Sequence, residues 1–424
     1  MEQKIYNLVV IGAGPAGLMA AIESFHPSFN VLILEKMHMP AIKLRLSGKG
    51  RCNITNDASL EEFLKHFGKN SKFLKFAFAE FFNKDLLEYF NKMGVEFKLE
   101  RGGRWFPQND KAIDIVNALL DKVKTLQIPI KENTRVVSIK KTEQGHFQIG
   151  IRKKSNSTVS EHIITEKVVV ATGGKSYPKT GSTGDGLKWA EILGHKIVAL
   201  KPSLVPIDTK GSIAKQLEGL SLKNVEVSVW SDNKKVSQQF GEMVFTDSGL
   251  SGPVILSLSR EIVTLVDARK QPTILIDLKP ALEHPKLEQR ILREIAEHGK
   301  QGFKSLLKRL LPQKLIPVFL EILQVSPDKQ LSQINAQERK ELRLLLKEFK
   351  FEVSGYGSYD QAIVTKGGIR IKDVNPRTME SRLVKNLYFV GEVIDVDADT
   401  GGFNLQAAFS TGWIAGRAIR DTSV

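Results

Sequence analysis

The sequence holds a single cysteine, Cys52, among 424 residues. One thiol permits no intramolecular disulfide and no multi-cysteine metal site. It also removes dithiol exchange within the chain, and with it disulfide-reductase chemistry. The histidines of HPSF, MHMP and GHKI stand alone, without metal-ligand spacing, so no metal is expected. No apolar run is long enough to cross a bilayer, so no membrane partner is expected. The N-terminal MEQKIYNLVVIGAG passes directly into a strand pattern, with no charged region and small-residue cleavage site before it. A cytoplasmic protein is the expectation. Internal repeats and low-complexity linkers are also missing.

Acidic residues are in deficit: 62 lysines and arginines face 47 acids, a formal charge of +15. Such a balance suits nucleic acid, anionic lipid or an anionic cofactor. The basic residues are nevertheless scattered through mixed-sign segments, and tight clusters such as IRKKSNS at 151–157 are short. Charge alone therefore points to a generally positive surface, and nucleic acid is disfavoured as a partner relative to a small molecule. The oligomeric state is left open. The length exceeds one compact core, so two or three domains are expected.

The first segment reads as a βαβ unit: a strand from Ile5 to Val10, a helix from Gly17 to Phe25 and a strand from Asn30 to Leu34. Gly12, Gly14 and Gly17 in VVIGAGPAG have the G-x-G-x-x-G spacing of a dinucleotide turn. The first glycine permits the tight turn, the second admits a pyrophosphate and the third lets the helix approach the strand. The helix start then offers free N–H groups to phosphate, with Ala16 in its first turn. Glu35, at the end of the second strand, stands where a carboxylate accepts from ribose hydroxyls and opposes a 2′-phosphate. Lys36 follows it.

Further along, 60–93 and 111–126 read as helical, and Arg135–Ile139, Phe147–Ile151 and Glu166–Ala171 as strands. Residues 196–278 carry short alternating segments such as VEVSVW, QQFGEMVF and PTILIDL, the pattern of an antiparallel sheet or small barrel. From 280 to 350 the pattern is helical and charged. At NLYFVGE the first texture resumes, and NLQAAFSTGWIAGRAI closes the chain as a helix. The expected divisions are 1–195 for the first part of a nucleotide-binding domain, 196–279 for a β-rich insert and 280–350 for a helical insert. Residues 351–424 return through the insert to complete the first domain. Glu392, beside Gly391 at a strand end, can accept from sugar-alcohol hydroxyls. The helix beginning near Asn404 can direct its positive end at a ring that becomes anionic on reduction. That pairing favours a flavin dinucleotide over NAD.

The motifs GAGPAG, LSGKGRCNITN, GGRWFP, ATGGKSYPKTGSTGDG, LVPI, FTDSGLSGPVIL, VTKGGI and GEVIDVDADTGGFNLQAAFSTG together resemble the bacterial BaiN-like and aminoacetone oxidase-like FAD-binding flavoproteins. The resemblance runs nearly end to end and is weakest over 280–350. It implies an α/β fold: a Rossmann-type (GR2-like) FAD-binding domain of the two-dinucleotide-binding-fold superfamily, interrupted by a β-barrel-like subdomain and a small helical one. It implies non-covalent FAD held at Gly12, Gly14, Ala16, Gly17, Glu35 and Lys36. Val136 would offer backbone groups to adenine, and Ala171, Thr172 and Gly173 would pass the adenosine and phosphates. Gly391 and Glu392 would reach the ribityl chain, and Gly402, Phe403, Asn404 and Gln406 the isoalloxazine. Gly48, Arg51, Cys52, Asn53 and Thr55 would lie over the flavin, with Arg51 neutralising phosphate or reduced-flavin charge. Cys52 then reads as a compact neighbour of the cofactor and not as a catalytic thiol. The family more often has glycine where this chain has Ala398.

Catalytic residues are unassigned by sequence. Arg51, Arg104 and Tyr177 are pocket candidates, alongside Trp105, Phe106, Lys175 and Thr180, and Tyr177 has a proton to donate. The expected activity is FAD-dependent oxidoreduction by hydride transfer at flavin N5, to or from a small organic substrate, with NAD(P)H or O₂ as redox partner. No second intact G-x-G-x-x-G exists; SGYGSYD at 354–360 lacks the third glycine, so NAD(P)H would dock only transiently. Two alternatives stand beside this: an FAD-dependent nucleic-acid-modifying or nucleic-acid-binding protein, and a flavin redox regulator without turnover.

Overall fold

The computed structural model describes residues 4–153 and 161–422; the end of the IRKKSNS cluster lies outside the described residues. Two compact units result, one from Met1–Pro202 with Ala362–Val424 and one from Ser203–Gln361.

The first unit is built on a sheet whose centre is the strand Ile5–Ile11. It runs parallel to Val31–Leu34 on one side and to Glu161–Val170 on the other. Leu8, Val9 and Val10 are fully buried, as expected for a central parallel strand covered on both faces. Phe147–Lys153 and Thr134–Lys141 extend the sheet antiparallel. The late strand Leu387–Phe389 pairs parallel with Glu161–Val170, so the last segment of the chain rejoins the first.

The helix Pro15–Glu23 packs against the closing helix Phe403–Asp421. Their backbones approach because Gly412 and Gly416 have no side chains. A Cβ on Gly412 would come within 2.4 Å of Ala16 O, and one on Gly416 within 2.7 Å of Ala20 O. The stretch expected to be helical over 60–93 is several short helices, among them Leu60–Lys65, Lys75–Glu80 and Asn83–Asn91. Phe63, Phe78 and Phe90 anchor them in the core. Thr55–Asn56, Arg104–Pro107 and Phe97–Glu100 form a separate three-stranded antiparallel sheet.

The second unit is a closed six-stranded barrel with helices. In ring order its strands are Ile207–Thr209, Gly249–Ser251, Lys234–Phe245, Ser221–Ser231, Thr273–Asp277 and Phe349–Tyr356. Alternation along Ser221–Ser231 places Val225, Val227 and Val229 inside. Between the last two strands come His284–His298, Phe303–Leu310, Leu315–Leu323 and Ala336–Lys347. Their apolar residues, including Leu287, Ile291, Phe319 and Leu346, share one core with the barrel's Phe349. No helix among the described residues is long and apolar enough to cross a membrane.

Candidate functional site: a dinucleotide cleft closed by both chain ends

The turn after Ile5–Ile11 is fixed by glycine. Gly12 has φ +104°, and a Cβ there would lie 2.6 Å from Ala171 O. Gly17 is tighter still, 2.0 Å from Gly12 O by the same construction. Gly14 differs: a Cβ on it meets no protein atom within 4 Å. Open space therefore lies over the middle glycine, beside the free N–H groups that begin Pro15–Glu23.

Glu35 is 9% exposed and closes this turn from the neighbouring strand. Its Oε2 accepts from Ala13 N–H at 2.9 Å and its Oε1 from Met37 N–H at 2.8 Å. Burial pushes its carboxyl above the usual range against the pull of these bonds. Each oxygen keeps a lone pair for a further donor. Lys36 turns away to Asp185 Oδ2 at 2.9 Å. Val136 is buried on Thr134–Lys141 beside a register shift in its pairing with Phe147–Lys153.

The other chain end arrives at the same turn. Gly391 has φ +72°, and a Cβ there would be 2.9 Å from Ala16 Cβ. Its N–H donates to Thr411 Oγ1 at 3.0 Å. Glu392 is held by residues absent from the sequence-level candidates. Its Oε1 accepts from Ser176 Oγ at 2.9 Å and Thr365 N–H at 2.7 Å. Its Oε2 accepts from Lys43 Nζ at 2.8 Å, and Lys43 also reaches Ser176 Oγ at 2.7 Å. Ser176 and Thr365 lie within ATGGKSYPKTGSTGDG and VTKGGI and Lys43 lies outside the quoted motifs; only tertiary pairing brings the three to Glu392.

LSGKGRCNITN meets the closing helix directly. A Cβ on Gly402 would lie 2.5 Å from Thr55 O. Thr55 Oγ1 donates to Gln406 Oε1 at 2.6 Å, and Gln406 is fully buried. Asn404 closes its own loop, accepting from Ala398 N–H at 2.9 Å and donating to Ala398 O at 2.9 Å. Ala398 is not among the residues with positive φ, so the loop does not require glycine there. Phe403 stacks on His66 at 3.9 Å between ring centres, and His66 pairs with Asp399 at 2.9 Å. The side chains of Phe403, Asn404 and Gln406 thus secure the loop. What they leave for a ligand is the backbone at the helix start.

Arg51 is drawn to Glu100 and to Asp110, whose Oδ1 accepts from Nε at 2.8 Å, and lies over the Phe106 ring at 4.2 Å. Hydrogen bonds from Lys98 and then Arg51 hold the Asp110 carboxyl below its ordinary range. Arg104 lies 5.8 Å from the centre of the same ring. Trp105 Nε1 donates to Asp57 Oδ1 at 3.3 Å. Tyr177 has φ +51° and is 37% exposed. Thr180 Oγ1 donates to its carbonyl at 2.7 Å, and Lys175 N–H donates to Thr365 Oγ1 at 2.7 Å. Cys52 is fully buried with φ +61°, and burial pushes its thiol up to about 12. A thiol so shifted carries almost no thiolate at neutral pH.

Among the sequence-predicted site residues, two buried polar atoms have no hydrogen-bond partner: Asn53 Oδ1 and Thr172 Oγ1. Unsatisfied buried acceptors are costly in a folded protein, and ligand hydroxyls or N–H groups satisfy them. With the open space over Gly14 and the free helix start, these atoms fit a dinucleotide carrying a polar ring system.

The chain matches the family model described as HI0933-like protein Rossmann domain over residues 6–418. It belongs to that family. It is 31% identical over 410 residues to the ribosomal RNA dihydrouridine synthase of Escherichia coli K12, covering 96% of each chain. It is 28% identical over 414 residues to the 3-dehydro-bile acid delta(4,6)-reductase of Clostridium scindens, covering 97% of this chain and 98% of that one. Among solved structures, it matches a 3-ketosteroid delta1-dehydrogenase from Sterolibacterium denitrificans with TM-score 0.53 at 12% identity, covering 99% of this chain and 100% of the other. A flavocytochrome c3 fumarate reductase matches with TM-score 0.54 at 14% identity, covering 99% and 79%. At that identity the two structures speak to the fold, a Rossmann FAD-binding domain interrupted by a second unit.

Proposed function

We propose that this FAD-dependent oxidoreductase saturates an activated carbon–carbon double bond in a ring, and that the ring is a uridine of RNA. The observation that carries the reading is what two end-to-end relatives have in common. A dihydrouridine synthase and a delta(4,6)-reductase both add two hydrogens across a ring double bond conjugated to a carbonyl. Two end-to-end relatives, at 31% and 30% identity, are named for ribosomal RNA, against 28% for the bile-acid reductase, and this favours the nucleic-acid substrate of the two.

Bound FAD supplies the hydride exchange. The chain's own residues hold it. Gly12, Gly14 and Gly17 with the start of Pro15–Glu23 take the diphosphate, with Ala16 beneath it, and Glu35 takes the adenosine ribose. Backbone at Val136 and at Ala171, Thr172 and Gly173 lines the adenosine side. Asn53 and Thr172 complete their hydrogen bonding on the ligand. Gly391, Glu392 and the amides that begin Phe403–Asp421 serve the ribityl chain and ring, where the helix end favours developing negative charge. Gly48 and Thr55 bring the backbone of the 46–56 loop to the ring. Arg104 and Tyr177 are the candidates to touch substrate, and Tyr177 has a proton for the ring carbon that does not receive the hydride.

The electron source in this reading is NADH or NADPH docking transiently. SGYGSYD gives no separate nicotinamide domain: Phe349–Tyr356 is an antiparallel barrel strand and opens no helix. Such a protein works in the cytoplasm, where nicotinamides and RNA coexist. The second reading, a small conjugated enone as substrate, is favoured by the Clostridium relative. The test is anaerobic reduction of the purified holoprotein by NADH or NADPH, then addition of a uridine-containing transcript or a steroid enone. Nucleoside mass spectrometry that finds dihydrouridine supports the first reading. Turnover of the enone with untouched RNA sinks it in favour of the second.

A further inference from the structure

On the helix His284–His298, Lys286, Arg290 and Arg293 recur at intervals of four and three and so share one face. Together with Leu282, Gln289 and Glu294 they line a cleft. Lys279 is partly buried nearby, and its ammonium is held below the ordinary lysine range by burial and by the charge of Arg290.

The neighbouring acids are already engaged elsewhere. Glu294 pairs with Arg309 at 3.5 Å and lies 4.0 Å from His298. Glu288 pairs with Arg339 at 3.1 Å and Arg343 at 3.5 Å. Asp277 pairs with Lys347 at 2.5 Å. Glu283 precedes the helix and lies outside the cleft lining. Among the described residues, Lys279, Lys286, Arg290 and Arg293 have no ion-pair partner. The three cations that line the cleft, with Lys279 feeling the charge of Arg290, repel each other unless an anion joins them.

We propose that this cleft in the helical insert binds the phosphate backbone of the RNA substrate. Lys286 to Arg293 spans about 10 Å of helix at the usual rise, long enough for more than one backbone phosphate. Exposed Lys286 and Arg293 make the outer contacts, and Arg290 the inner one. The site carries no base readout; it raises affinity for RNA irrespective of sequence. The proposal rests on the RNA reading above.

The test measures binding of a fluorescein-labelled, uridine-containing RNA to full-length holoprotein across a salt series, beside dihydrouridine formation in the same RNA. Arg290→Gln with Arg293→Gln is compared with wild type, and Lys286→Glu serves as a second variant; thermal melting confirms that each folds. The double variant is expected to bind at least about tenfold more weakly. Its log–log salt slope falls by about 1.4, or about 0.7 for each cation removed. If the folded variants match wild type in affinity and slope while wild type forms dihydrouridine, the cleft proposal is overturned and the RNA reading stands. If wild type forms no dihydrouridine yet its RNA binding still depends on these cations, the reading falls and the cleft stands. A wild-type protein that binds no RNA overturns both.

Discussion

Gly391 and Ala16, from opposite ends of the chain, meet so closely that a Cβ on Gly391 would stand 2.9 Å from the Ala16 Cβ. The contact joins the strand end before Glu392 to the helix that follows the glycine turn. Gly391→Val adds this clash to a φ of +72° that valine resists. The expected outcome is a loss of about 1–3 kcal/mol in denaturant unfolding, together with loss of bound FAD. Unchanged stability and flavin content would show that the two segments are not held together here.

Gly12 and Gly14 separate folding from binding. Gly14 has extended backbone, φ −81° and ψ −179°, and open space around it. Gly14→Ala is expected to leave the melting temperature unchanged and to weaken FAD at least about tenfold, because the methyl takes the ligand's place. Gly12→Ala, with φ +104° and Ala171 O in the way, is expected to lower stability itself. Fluorescence titration with FAD and thermal melting of both variants check the contrast.

Cys52 is expected to be silent. Its thiol, pushed up to about 12 by burial, reacts with a thiol reagent at neutral pH only after unfolding. The sign of the linkage follows from the same shift. A thiol whose folded value lies above its unfolded value favours the native state at low and neutral pH. That contribution is lost as pH rises from about 8.5 toward 12. Cys52→Ser is expected to keep activity within about threefold. Rapid labelling of the native protein, or loss of turnover in Cys52→Ser, contradicts this.

Thr55 and Gln406 form a buried clamp at the start of Phe403–Asp421. Thr55→Val removes the donor to a fully buried amide oxygen and is expected to cost about 1–3 kcal/mol. Thr55→Val combined with Gln406→Leu is expected to cost less than the sum of the single changes, with a coupling of about 0.5–3 kcal/mol in a double-mutant cycle. Additive effects would mean that the bond is not stabilising.

The nucleotide turn was legible because its chemistry is local. Glycine spacing, the flanking strands and Glu35 all lie within one βαβ unit, and the barrel showed itself in the alternation of VEVSVW and QQFGEMVF. Arg51 was not legible in the same way. The family resemblance implies that it neutralises phosphate or reduced-flavin charge, and nothing in the sequence signals its pairing with Glu100 and Asp110, both distant along the chain. Lys43, Ser176 and Thr365 surround Glu392 from three separate segments, and His66 reaches Phe403 and Asp399 from a fourth. Phe403, Asn404 and Gln406 sit in the motif, but their side chains are turned to loop and core. Periodicity reports which face is buried; it does not report which side chain a buried group will meet.

The central claim is that one FAD lies across the turn at Gly14 and the start of Phe403–Asp421. The most direct measurement is the visible spectrum and FAD content of the purified protein, wild type beside Gly14→Ala. The expected result is a yellow wild type with about one FAD per chain and a well-folded, largely colourless variant. A folded wild type that is colourless and takes up no FAD at micromolar concentration would contradict the account.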